Sequence, residues 1–209
     1  MKIKKIVDRD FIASKLIRRN NIFIHHTAEV SDKAVIGENT RIWNNAQVRE
    51  GSRIGSNCII GKDVYIDQNV QIGNSVKIQN GVSVYRGAVI EDNVFLGPHM
   101  TFTNDLYPRA EISDFELYPT RIKKGASIGA HATIVCGTEI GEYAMIGAGA
   151  VVTRNIPKYA LAYGNPAQIR GYVARNGEKL NFSDRNIPVH VGSETYVMDE
   201  NGDVELVSE

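Results

Sequence analysis

The sequence predicts an all-β chain built as a parallel β-solenoid, and three observations carry that expectation. The first is a period of six. From Ile24 through Val30, Ile36, Ile42, Val48, Ile54, Ile60, Ile66, Ile72, Ile78, Val84, Ile90 and Leu96 to Phe102, every sixth residue is large and apolar. The frame resumes at Ile122 and runs through Ile128, Ile134, Ile140 and Ile146 to Val152. A helical face needs spacings of three and four and a lone strand needs two, so the period marks a repeat. The second observation is a parallel column of small or β-branched residues two places before each apolar one, such as Ala46, Val64, Val82, Ala132 and Ala150. The third is glycine directly after many of the apolar residues, with Asn-rich turn formers such as Ser56-Asn57 and Gln68-Asn69 between units. β-Branched residues suit strands, while Gly and Asn suit positive φ. Each unit is thus a short strand and a corner, and it buries its apolar side only by stacking on neighbours.

Taken in order, residues 1–23 precede the ladder, with Phe11, Ile12, Leu16 and Ile17 spaced as in a short amphipathic helix. Residues 24–157 hold the repeat, and its six-residue period ends at Val152. Between Phe102 and Ile122 lie twenty residues where six would serve, so fourteen are extra and must leave as a loop within 103–121. That loop carries Tyr107, Arg109, Phe115 and Tyr118, and long insertions of this kind tend to be functional. Residues 158–209 form a C-terminal extension without the period, in which Gly192 to Val207 reads as a hairpin turning at Glu200-Asn201-Gly202-Asp203. The 24 basic and 24 acidic residues balance, which argues against nucleic acid or an acidic membrane as partner. Cys58 and Cys136 are too few and too far apart for a disulfide framework or a metal motif. With no apolar run near ~20 residues and no secretory h-region, the expected location is the cytoplasm.

The ladder resembles the hexapeptide-repeat, left-handed parallel β-helix acyltransferases. The resemblance implies eighteen-residue triangular coils, opening here at Ile24, Ile42, Ile60, Ile78 and Leu96. It also implies a left hand, against the general rule for parallel crossovers. About seven coils at ~4.8 Å each would make a prism roughly 34 Å long. Counted in that frame, His99 lies three past Leu96 and His131 three past Ile128. Their separation of 32 less the fourteen inserted residues is eighteen, so they should stack on adjacent coils at one corner. Asn80 falls one coil below, and the loop leaves the coil of His99. One edge is therefore expected to gather both histidines, Asn80 and the loop.

The family resemblance further implies a homotrimer with active sites between subunits and acetyl-CoA as co-substrate along the late coils, with no metal. The stretch Ile140-Gly141-Glu142-Tyr143-Ala144-Met145-Ile146-Gly147-Ala148-Gly149-Ala150-Val151-Val152, with Gly164-Asn165-Pro166-Ala167, resembles the coenzyme A-binding end. On it Gly147, Ala148, Asn165 and Pro166, with Arg154 and Arg170 for phosphate, are the expected coenzyme contacts. Asn80-Gly81-Val82-Ser83-Val84-Tyr85, Phe102-Thr103-Asn104 with Pro108-Arg109, and Thr133-Ile134-Val135-Cys136-Gly137 are similar to the nucleotide-sugar 3-amino N-acetyltransferases. This implies a UDP- or dTDP-linked amino sugar destined for surface polysaccharide such as lipopolysaccharide, with Asn80 positioning the amine. Members of that family differ at the positions of His99 and His131, so these two enter as candidate proton acceptors through their expected stacking and not through the resemblance. Tyr85, Asn104 and Arg109 would hold the sugar or its diphosphate. O-acetylation of a sugar or serine is the main alternative, and a γ-type carbonic anhydrase a weaker one that lacks its paired histidines here.

Overall fold

The computed structural model describes residues 21–112, 116–184 and 187–208. Every apolar residue of the six-residue frame closes a strand of only two or three residues, and a corner follows it. Strands eighteen residues apart pair in parallel register: Ile24 with Ile42, Ile42 with Ile60, Ile60 with Ile78 and Ile78 with Leu96. Leu96 then pairs with Ile128, 32 residues on, so 32 less 18 gives the fourteen inserted residues. Among the described residues there is no helix.

Three parallel faces result. The first holds eight parallel strands, from Phe23–Ile24 to Ala160–Tyr163, continued by antiparallel Gln168–Val173 and Lys179–Leu180. The second holds seven, from Glu29–Val30 to Val151–Val152. The third holds six, from Val35–Ile36 to Glu139–Ile140. This makes seven coils with one side of an eighth, matching the expected solenoid of about seven. The stack outlasts the six-residue period. Ile156 bridges Ile140 after only four residues, and Ala162 pairs with Ile146.

The interior is a column of isoleucine and valine with alanine filling the tight corners. Three of its four buried polar side chains, those of Thr40, Ser52 and Thr138, are hydrogen-bonded, whereas Thr120 Oγ1 meets no partner among the described residues. Thr40 Oγ1 donates to the Gly55 carbonyl (2.8 Å), and Ser52 Oγ donates to that of Asp67 (2.6 Å). Cys58 and Cys136 are free and buried, and burial pushes the Cys58 thiol up.

Two expectations fall outside the described residues: the helix over Phe11, Ile12, Leu16 and Ile17, and the placement of Phe115. A third is corrected. The loop leaves after Thr101–Phe102, a strand of the second face, so it emerges between the second and third faces. It returns with Leu117 against Gly87 and Tyr118 beside Gly137 at that same corner. The histidines lie between the first and second faces. One strand of chain separates the two corners, so the edge of His99 is not the edge of the loop.

The C-terminal hairpin pairs Glu194–Met198 with Val204–Ser208, and Val189–Val191 adds a third strand. It docks on the last coils through a small apolar cluster around Tyr196, which is fully buried. Tyr196 Oη donates to Glu194 Oε2 and accepts from the Arg175 amide (2.9 Å). Burial, then the bond to Glu194, pushes the Tyr196 phenol up to about 12. Lys158 pairs with Glu205 across the same junction.

Two outcomes follow. Ile78→Ala, at a fully buried position, should cost about 2–5 kcal/mol in chemical denaturation. The docked hairpin holds the Tyr196 proton more tightly than the unfolded chain does. Its stability should therefore be intact below pH 10 and fall as pH rises from 10 to about 12, with Tyr196→Phe removing that dependence in near-ultraviolet circular dichroism.

Candidate active site

Stacking places like positions of successive coils in rows along the axis. At most corners the third residue after the inward apolar one turns with positive φ, and it is Asn or Gly at most of these: Asn39, Asn45, Asn57, Asn69 and Asn93, and Gly51, Gly81, Gly87, Gly125, Gly137 and Gly149. His99 and His131 occupy this position too, each with φ +56°. The left-handed region is sparsely used by non-glycine residues and costs ~1–3 kcal/mol, and such strain gathers at working sites.

The two imidazoles stack with ring centroids 5.3 Å apart and planes 15° from parallel. Backbone bonds fix the spacing: the His99 amide donates to Asn80 O (2.9 Å) and the His131 amide to Pro98 O (3.0 Å). Both side chains are exposed. Directly below His99 the row holds Gly81, φ +70°, and a Cβ there would lie 2.3 Å from His99 Nδ1. Glycine at 81 therefore gives the His99 ring its resting place. Next below is Asp63, whose carboxyl is held down first by its bond to Lys62, then by Asn45, with the His99 charge a smaller cause.

Asn80 adjoins this row. Its Oδ1 accepts from the Lys62 amide (3.0 Å), which fixes the carboxamide and leaves one oxygen lone pair and the NH₂ group for other partners. Ala130 and Ala148 stand one and two coils above the Pro98 position of the same row. Neither has an oxygen-bearing side chain stacked over it, and among the described residues their amides meet no protein acceptor.

At the top of this corner the fold gathers most of the expected coenzyme residues. Gly147 packs under Tyr163, where an added Cβ would lie 2.7 Å from Tyr163 Cβ, and the Arg170 guanidinium stands 6.0 Å from the Tyr163 ring centroid. Ala148 is exposed, and Gly149, φ +69°, faces open space. Val151 N donates to Gly164 O (2.9 Å) and Ala167 N to Val151 O (2.7 Å), which lays the exposed cis Asn165-Pro166 unit beside this edge. Arg154 lies apart, past Val152 at the corner of the loop.

Tyr85, Asn104 and Arg109 also belong to the loop's corner rather than the histidines'. Tyr85 is half-buried with its ring 6.1 Å from Tyr65, Asn104 is half-buried just past Phe102, and Arg109 is exposed, bonding Pro108 O (2.7 Å). The second face lies between them and Asn80. Sequence reasoning missed Gly81 and Asp63. Both share the His99 frame position, so the same counting reaches them. Among the described residues no three His, Cys, Asp or Glu side chains gather as a metal site would require.

Residues 20–68 and 119–154 match the bacterial transferase hexapeptide (six repeats), and residues 52–86 match the hexapeptide repeat of succinyl-transferase. Together the two matches place hexapeptide repeats over residues 20–86 and 119–154. It is 62% identical over 73 residues to dTDP-3-amino-3,6-dideoxy-alpha-D-galactopyranose 3-N-acetyltransferase of Aneurinibacillus thermoaerophilus, covering 35% of this chain and 38% of that one. It is 39% identical over 72 residues to the bifunctional protein GlmU of Fervidobacterium nodosum, covering 34% of this chain and 16% of the relative. The aligned stretches thus span well under half of either relative. Among solved structures, galactoside acetyltransferase in complex with coenzyme A shares the fold with a TM-score of 0.54 at 24% identity, over 63% of this chain and 72% of that one.

Gly81→Ala should lower stability by about 1 kcal/mol through its positive φ and push the His99 ring off its seat. Imidazole proton resonances would check this: those of His99 should move, while those of the remote His190 should stay in place.

Proposed function

We propose that the protein transfers an acetyl group from acetyl-CoA to the 3-amino group of a UDP- or dTDP-linked amino sugar, for surface polysaccharide. The observation that carries this reading is the 62% identity over 73 residues to an enzyme named for that reaction on a dTDP-3-amino sugar. The reading includes a cytoplasmic homotrimer whose sites lie between subunits, which would bring the loop of one subunit to the histidine corner of the next.

The corner supports the chemistry step by step. The sugar amine must be neutral to attack the thioester carbonyl carbon. The free lone pair on Asn80 Oδ1 can accept one amine N–H and so orient the nitrogen. As the C–N bond forms, negative charge develops on the carbonyl oxygen, and an unpaired backbone N–H such as that of Ala130 or Ala148 suits it. Collapse breaks the C–S bond and expels the coenzyme thiolate. The nitrogen then loses its extra proton to His131 or His99, which returns it to the thiolate. Pantetheine amides can bond the same row of open backbone, with Asn165, Pro166 and Arg170 flanking it. Tyr85, Asn104, Arg109 and Arg154, at the loop's corner, serve the neighbouring subunit's site in this arrangement.

The stacked histidines also favour a second reading, O-acetylation of a sugar or serine, because a hydroxyl needs a base more than an amine does. Thiol release from acetyl-CoA separates the two. UDP- and dTDP-3-amino sugars, 4-amino sugars, serine and a galactoside would be compared with wild type, Asn80→Ala, His99→Ala and His131→Ala. Turnover is expected on a 3-amino nucleotide sugar alone. Each histidine variant should lose less than about 100-fold in kcat, the lower bound usual for a true general base, with Asn80→Ala losing more. Turnover confined to a hydroxyl acceptor would overturn the amine reading. Sedimentation of the wild type should show three subunits.

A further inference from the structure

The strand Gln168–Val173 crosses the end of the first face, from the coenzyme-like edge to the docked tail. It pairs antiparallel with Ala160–Tyr163: Tyr163 with Gln168, Ala162 with Ile169, Leu161 with Gly171 and Ala160 with Tyr172. Arg170 is skipped in this register, so it is the extra residue of a β-bulge, and Gly171 beside it has φ +151°. A bulge re-aims the side chain it carries. Here the guanidinium of Arg170 comes to stand 6.0 Å from the centroid of the Tyr163 ring, which packs on Gly147. Burial does not fix the register at this end of the strand, because Gln168, Ile169 and Arg170 are all exposed. Strands without a buried face resist a one-residue slip weakly. A slip that absorbed the bulge would bring Arg170 into the ladder and change the side it faces.

The far end of the strand is held, and the tail holds it. Val173 and Ala174 are buried, and Val173 N donates to Tyr159 O (2.8 Å). Tyr172 Oη donates to Gly202 O in the hairpin turn (2.7 Å), and the Phe182 ring meets Tyr172 edge-on at 6.4 Å. Arg175 then ties the strand to both the hairpin and the prism. Its amide donates to Tyr196 Oη (2.9 Å), and its guanidinium pairs with Glu194 (3.3 Å). The same guanidinium lies 5.2 Å from the Tyr143 ring centroid, a cation–π contact. Tyr143 stacks on Tyr159 at 5.7 Å, and Tyr196 meets Tyr159 edge-on at 5.4 Å. This clamp stands at the corner between the third and first faces, across the first face from the histidines.

We propose that Arg175 is a positioning residue for the coenzyme: through the tail clamp it locks the register of Gln168–Val173 and so holds Arg170 at the coenzyme edge. The proposal rests on the reading of that edge as the acetyl-CoA site and gives the non-repeating tail a part in it. At ~3.3 Å per residue, five residues of strand separate Arg175 from Arg170 by about 16 Å, so Arg175 acts through the strand and not on the ligand. Arg170 is the group that meets a coenzyme phosphate, by charge-assisted bonds.

Titration calorimetry of the whole chain with coenzyme A tests this without any acceptor. Arg170→Ala should weaken binding about tenfold, the scale of one lost hydrogen bond to a charged group. Arg175→Ala should weaken it by a similar factor. The double variant should bind no more weakly than Arg170→Ala alone, because residues that act through one contact are not additive. Arg175→Lys, which keeps a cation beside Tyr143, should recover part of the loss, and KM for the acceptor sugar should not change. Where Arg175→Ala fails to fold, Glu194→Gln replaces it: it preserves side-chain size, weakens the clamp, and should show the same non-additivity with Arg170→Ala. Binding unchanged from wild type in the clamp variants would overturn the proposal. So would losses that add in the double variant, which would make Arg175 a residue of general stability. A wild type that does not bind coenzyme A would sink the coenzyme reading and the positioning role with it. Binding as expected, without acetyl transfer to any acceptor, would sink the catalytic reading and keep the clamp.

Discussion

The backbone hydrogen bonds between coils set every other feature of this molecule. Gly61 N donates to Ile78 O at 2.8 Å, and Gly97 N donates to Ile128 O at the same length across the insertion. The strand peptides of a coil must meet their partners on the next, so a coil has room for eighteen residues in the wall. Surplus chain cannot bulge inward, where it would displace packed isoleucines and strand polar groups. It must leave at a corner, as the chain does after Phe102. Where the chain runs short instead, as between Val152 and Ile156, the bridge to Ile140 still forms and the corner tightens.

The same constraint gives chemistry to the corners. The corner position turns with positive φ at nearly every coil, and around the prism most such positions hold Asn or Gly because those residues tolerate it. Replacing that choice by histidine at two adjacent levels produces parallel imidazoles without any special local structure. Replacing it by glycine at 81 clears the space into which the lower imidazole settles. In the proposed reaction, the chemistry would come from substitutions within a row whose geometry the stack already supplies. Backbone bonding on both neighbouring coils holds these side chains, so the site is rigid along the axis. Laterally it is open, on the side where a neighbouring subunit would close it.

Much of this was legible in the chain. The period of six placed nearly every inward residue, and subtracting fourteen from thirty-two put His99 and His131 in register. The coenzyme-like end was also read as a unit, and Gly147, Ala148, Asn165, Pro166 and Arg170 do come together. Other features escaped because they depend on which face a residue reaches. Counting located the loop on the coil of His99 but did not carry it past the strand Thr101–Phe102 to the next corner. Asn80 was read for its relation to an amine, whereas its oxygen also caps the Lys62 amide one coil down. Arg170 was read as a phosphate contact, and the bulge that carries it appears only once two strands are paired.

By itself the sequence determined the all-β solenoid, its coil length, the single insertion and the stacking of two histidines, because each depends only on spacing along the chain. The tertiary structure alone decided which groups share an edge, where the tail docks, and that one strand runs from the coenzyme-like edge to that tail. Those facts depend on lateral position around the prism and on the ~4.8 Å rise between coils. That rise brings residues eighteen apart in the chain closer together than residues six apart.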